Sequence, residues 1–162
     1  MPDAYPLEAL LRVRRLRESD AERAVSAAQS ALRAAREALE AKKAAFEQWL
    51  RWRAEEVDRR YAAFLGKKTA IAGVLDFNGG IAALYAEEVV KKAEVASAEK
   101  DVTECEARLE AARAAAKRAR KNTAKIEIHK SVWMEDEKKE RERAEDKEFE
   151  EFKGASPADA DS

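Results

Sequence analysis

The chain has 162 residues, 40% of them charged, yet its 32 basic and 33 acidic side chains leave a formal net charge of -1. That balance gives no overall footprint for nucleic acid or an anionic surface, and so many charges cannot be buried in a conventional core. A composition rich in Ala, Glu, Lys, Leu and Arg, with only three Trp, three Tyr and five Phe, belongs instead with coiled coils and long helices.

Glycine and proline, the strongest punctuation in a sequence, are confined to the ends (Pro2, Pro6, Gly154, Pro157) and to one middle stretch (Gly66, Gly73, Gly79, Gly80). Two breaker-free arms follow, at about 5–65 and about 81–153, joined by a hinge at about 66–80. The expected fold is all-α, a long two-helix antiparallel coiled-coil hairpin forming one unit over 1–153, with a disordered tail at 154–162. The start lacks the apolar core of a secretory signal, and no apolar run approaches the roughly 20 residues needed to cross a bilayer. A cytoplasmic protein without direct membrane insertion is the expectation.

In the first arm Val25, Leu32, Leu39 and Phe46 recur every seven residues beside a companion row of Ala21, Ala28, Ala35 and Trp49. This is a heptad seam. A third row, Ala24, Ala31, Ala38 and Ala45, borders it with small side chains that predict close approach of the partner helix. Trp49 and Trp52 fall on adjacent faces, one expected in the seam and the other partly exposed.

At the hinge, Gly66-Lys67-Lys68-Thr69 and Asp76-Phe77-Asn78-Gly79-Gly80 read as two breaks around a short apolar segment that Thr69 caps and Asn78-Gly79 turns. Ile71, Val74, Leu75, Phe77 and Ile81 gather at the tip, either packing the turn or presenting a contact surface. The Gly-Lys-Lys-Thr string lacks the earlier glycine of a phosphate-binding loop, where Tyr61 stands instead, so nucleotide binding is rejected.

The second arm repeats the seam with Val95, Val102, Leu109 and Ala116 in one row and Leu84, Ala98, Cys105, Ala112, Ala119, Ile126 and Trp133 in the other. Cys105, the only cysteine, reads as a small hydrophobe in that seam. His129, the only histidine, has no neighbouring imidazole or thiol to complete a metal site, and no cofactor is expected. Beyond Trp133 the sequence turns densely charged, with Phe149 and Phe152 its only large anchors.

The basic residues at 113–130 leave a membrane-surface or nucleic-acid role open, although a stripe made mostly of alanine holds a membrane weakly. A structural coiled-coil dimer or scaffold is the other alternative. A monomeric hairpin is the leading expectation.

Two end motifs carry a resemblance: Tyr5-Pro6-Leu7-Glu8 with the leucine and arginine run at 10–17, and His129-Lys130 with Trp133-Met134 before mixed acidic and basic residues. They resemble the YscO family of type III secretion proteins, also called SctO, with CdsO among its members and FliJ its flagellar counterpart. The resemblance implies a non-enzymatic central stalk that inserts one end into the hexameric secretion ATPase, promotes its assembly or activity, and links it to the cytoplasmic ring of the export gate at the base of the apparatus. Some members also bind export chaperones. Carried onto this sequence, it implies an ATPase-facing end built from Leu7, Leu10, Leu11, Arg12, Arg14, Arg15, Lys125, His129, Lys130 and Trp133, and a gate-facing tip at Ile71, Val74, Leu75, Phe77 and Ile81.

Overall fold

A computed structural model describes residues 4–154, and among them there are two helices and no strand: α1 (Glu8–Phe64) and α2 (Ile71–Gly154). The chain is all-α, a hairpin of two long helices packed against each other. The tail expected at 154–162 lies outside the described residues except for Gly154, which ends α2.

The start of α1 is set locally. Pro6 stands just before it and Glu8 occupies its first turn, where a carboxylate meets the positive end of the helix dipole. The Glu8 amide donates to the Tyr5 carbonyl at 3.2 Å and the Leu11 amide to the Leu7 carbonyl at 2.9 Å, which fastens the entering chain to the first turn.

Contacts group the described residues into a terminal unit, within residues 4–23 and 113–154, and a hinge unit, residues 24–112. Within the hinge unit the antiparallel sense is read from the cross-helix ion pairs Arg36–Glu106 (3.6 Å), Lys42–Glu94 (3.7 Å) and Arg53–Glu88 (2.6 Å), whose numbers rise on α1 as they fall on α2. Leu32, Ile81, Leu84, Ala98 and Leu109 are buried, and Val25, Leu39, Phe46, Val95, Val102 and Cys105 are half-buried. This is the heptad seam of the sequence, and Cys105 packs in it. Trp49 is half-buried and stacks on Phe46, while Trp52 is exposed. The third alanine row lies at the edge of the seam: Ala24, Ala31, Ala38 and Ala45 are all exposed, and Ala38 shares a shallow concavity with Glu94, Ser97, Ala98 and Asp101 of α2.

The hinge is shorter than the expected 66–80. α2 begins at Ile71 and runs without interruption through Asn78, Gly79 and Gly80. Each glycine costs a helix roughly 1 kcal/mol against alanine, but the residues around this pair are held by α1. Phe77 stacks on Phe64 at 4.2 Å and meets the edge of Tyr61 at 5.0 Å, Ile81 is buried, and the Arg60 guanidinium donates to the Gly80 carbonyl at 3.5 Å. Packing overrides propensity here. The chain reverses instead at Gly66, whose φ of 103° is the conformation that L side chains resist. Thr69 does not cap α2: its hydroxyl donates to the Lys67 carbonyl, and the Ala70 carbonyl accepts from the Gly73 and Val74 amides at the first turn.

In the terminal unit, Leu11 is completely buried, and Ala116 and Thr123 are nearly so. Thr123 continues the row of Leu109 and Ala116 by one heptad, and its hydroxyl lies 3.0 Å from the Ala119 carbonyl in its own helix and 3.3 Å from the Arg14 carbonyl on α1. A polar seam residue is tolerated because its donor has an acceptor.

Candidate functional site

The terminal unit closes around Tyr5. Its ring is buried, meets Trp133 edge-on at 5.5 Å, and lies 5.7 Å from the imidazole of His129. The phenol oxygen lies 2.5 Å from His129 Nδ1, within hydrogen-bond distance. At the first residue of α1, Glu8 Oε2 receives Lys130 Nζ at 2.8 Å, and the same ammonium stands 5.9 Å from the Tyr5 ring centre. The Lys130 hydrogen bond holds the Glu8 carboxyl below its ordinary value, so that carboxylate is charged at neutral pH. Arg15 reaches Glu127 at 3.4 Å on the exposed side. Beside this cluster lies a groove of about 320 Å³ walled by Tyr5, Trp133 and Met134 and rimmed by Glu8, Glu137 and Arg141. An aromatic wall with charges of both signs at its edge suits a side chain or segment of a protein partner.

The residues implied for the ATPase-facing end divide by burial. Arg12, Arg15, Lys125 and His129 are exposed, and Leu7, Leu10, Arg14, Lys130 and Trp133 are half-buried. Leu11 drops out of any contact surface, since it has no exposed area and fills the space between the helices. The sequence names Tyr5, Glu8 and Met134 only as motif residues and does not place Glu137 and Arg141 in a site. Glu137 and Arg141, spaced four apart after Trp133, were the available signal.

The hinge unit exposes a different surface. Ile71, Leu75 and Val74 are 81%, 66% and 40% exposed, with Leu65 at 72% beside them in sequence. Phe77 and Ile81 leave this set, because Phe77 is sandwiched against Phe64 and Tyr61 and Ile81 is buried. Farther along α2, Tyr85, Val89 and Val90 are also exposed and were not singled out by the heptad rows, which assign only the seam. Beside them Arg53 lies 4.7 Å from the Tyr85 ring and 5.1 Å from the Trp49 ring. Its guanidinium also holds Glu88, whose carboxyl is pushed down chiefly by that hydrogen bond.

Among the described residues no group of three or more His, Cys, Asp or Glu is placed to hold a metal ion, and no helix is long and apolar enough to cross a membrane. Residues 7–155 match the family model for the type III secretion protein YscO. The chain belongs to the YscO family. Two solved structures share the YscO fold with it. One is the YscO protein of Vibrio parahaemolyticus, with a TM-score of 0.85 at 22% identity over 90% of this chain and 92% of that one. The other is described as a YscO homologue from Chlamydia trachomatis, with a TM-score of 0.74 at 24% identity over 94% and 93%. No curated protein sequence matches the chain significantly. Membership in the YscO family makes the chain a type III secretion component.

Proposed function

We propose that this YscO-family chain is the central stalk of a type III secretion system, a non-enzymatic cytoplasmic monomer at the base of the apparatus. Its terminal unit enters the hexameric secretion ATPase and promotes assembly or hydrolysis, while the exposed apolar tip meets the cytoplasmic ring of the export gate. Export chaperones are further candidate partners along the exposed helix faces.

The observation that carries this reading is the terminal cluster. Tyr5, His129, Trp133 and the Glu8–Lys130 pair tie the start of α1 to the 129–133 stretch of α2, and Arg12, Arg15 and Lys125 are exposed in the same unit. A surface of that kind offers different contacts around its circumference to the six subunits of a ring and biases their conformations unequally.

The test is a titration of the chain into the purified secretion ATPase of its own system, following hexamer formation and hydrolysis together. Saturable stimulation that Arg12→Ala and Arg15→Ala abolish is the expected result. Unchanged hydrolysis and no binding by a competent ATPase would return the chain to the structural coiled-coil alternative, and a dimeric mass by light scattering would identify that alternative directly.

A further inference from the structure

A second concave site in the terminal unit is built almost entirely from cationic and small residues. Arg14 and Arg17 on α1 and Arg118, Asn122, Ala115 and Ala119 on α2 enclose about 190 Å³. No carboxylate lines it. The ion pairs elsewhere in this unit engage Arg15, Arg23, Lys130 and Arg143, and none among the described residues reaches Arg14, Arg17 or Arg118. The Arg14 Nε is buried without a hydrogen-bond acceptor, the one orphaned side-chain polar atom in the described structure.

These facts have a common chemical meaning. Arg14 and Arg17 are three apart on one helix, Arg118 and Asn122 four apart on the other, so each pair shares a face. Ala115 and Ala119 keep the floor low where longer side chains would fill it. Thr123 anchors the wall through its hydroxyl at the Arg14 carbonyl. A buried donor without an acceptor is costly unless an acceptor arrives, and guanidinium forks fit the oxygens of phosphate or carboxylate in pairs. Charge decides between those two: three arginines line the same space, so a single carboxylate would leave most of their positive charge uncompensated, whereas a multiply charged phosphate matches it.

We propose that this pocket is an oxyanion site for a ligand of the phosphate class, either free polyphosphate or the phosphate tail of a nucleotide; it lies in the terminal unit and not at the Gly-Lys-Lys-Thr string, whose lack of a phosphate-binding loop is the ground on which the sequence rejects nucleotides. The site shares Arg14 with the set implied for the ATPase-facing end, but its test needs neither the ATPase nor the gate.

The probe is inorganic pyrophosphate, titrated calorimetrically into the full chain at fixed ionic strength, with ATP, citrate and sodium chloride as parallel arms. Pyrophosphate should bind at one site per chain. Arg118→Gln and Arg17→Gln should each weaken it roughly tenfold, the size of one lost charge-assisted contact, while Arg143→Gln on the same unit should leave it unchanged. Equal affinity for ATP and pyrophosphate assigns the site to the phosphates alone, and tighter ATP binding assigns it to a nucleotide. No binding, an equal loss in Arg143→Gln, or tighter binding of citrate than of pyrophosphate would each overturn the proposal. Helical circular dichroism and melting of each variant confirm that the folded chain is being titrated.

Discussion

The two units close their helix pairs by opposite means. The terminal unit uses side chains: a fully buried leucine, an aromatic pair, a phenol–imidazole hydrogen bond and an ion pair tie together residues remote in sequence. The hinge unit uses the backbone: one glycine in the left-handed region reverses the chain, and the apolar side chains that follow it are left largely bare. The lesson is that apolar residues clustered at a helix terminus carry no single meaning. Leu11 and Leu75 look alike in the sequence, yet one has no exposed surface and the other keeps 66% of its own.

That contrast is open to direct test. Leu11→Ala should cost about 2–5 kcal/mol in urea unfolding, the range for removing a buried leucine and leaving a cavity, whereas Leu75→Ala should stay within about 0.5 kcal/mol as a surface change. Similar losses at both sites would erase the distinction between a sealed unit and an open one. Next in size is Gly66→Ala, which forces a Cβ into a positive-φ position and should destabilise by about 1–2 kcal/mol. No Cβ clash is present there, so the loss measures backbone strain alone, and a neutral result would mean that the turn re-forms elsewhere.

The smallest effect concerns acid. Glu88 in the hinge unit has its carboxyl lowered by the Arg53 hydrogen bond, so this pair stabilises the fold above the carboxylate's unfolded pKa and the contribution fades as pH falls through the lower, folded value. Glu88→Gln should therefore be less stable than the parent at neutral pH, with the gap closing in acid; thermal melts of both chains across that range measure it. A gap that persists unchanged in acid would mean the side chain packs and does not act through charge.

The seam was legible because a seven-residue repeat needs only the identities of Leu32, Phe46, Val102 and Leu109. Trp49 and Trp52 also fell on the faces the spacing assigned them. The glycine pair at 79–80 was misread for a physical reason: propensity is local, whereas Phe64, Tyr61 and Arg60, which hold that turn of α2, lie on the other helix. Thr123 escaped notice because a hydroxyl does not announce a buried seam position, and the acceptor that admits it is a carbonyl on α1. At the candidate surfaces the motif residues Tyr5, Glu8, His129, Lys130 and Trp133 did assemble. Which leucines face a partner was not legible, since Leu7, Leu10 and Leu11 differ only in helical phase.

Tyr5 and His129 meet across 124 positions of sequence, while Phe64 and Phe77 meet across the short turn at Gly66. Entropy therefore ranks the routes by which the hairpin forms. Closing the distant pair first would trap 124 positions in one loop, whereas starting at the turn makes each later contact close only a small additional loop. The lowest-cost route zips outward from Gly66, and during synthesis the phenol of Tyr5 waits until its imidazole emerges more than a hundred residues later.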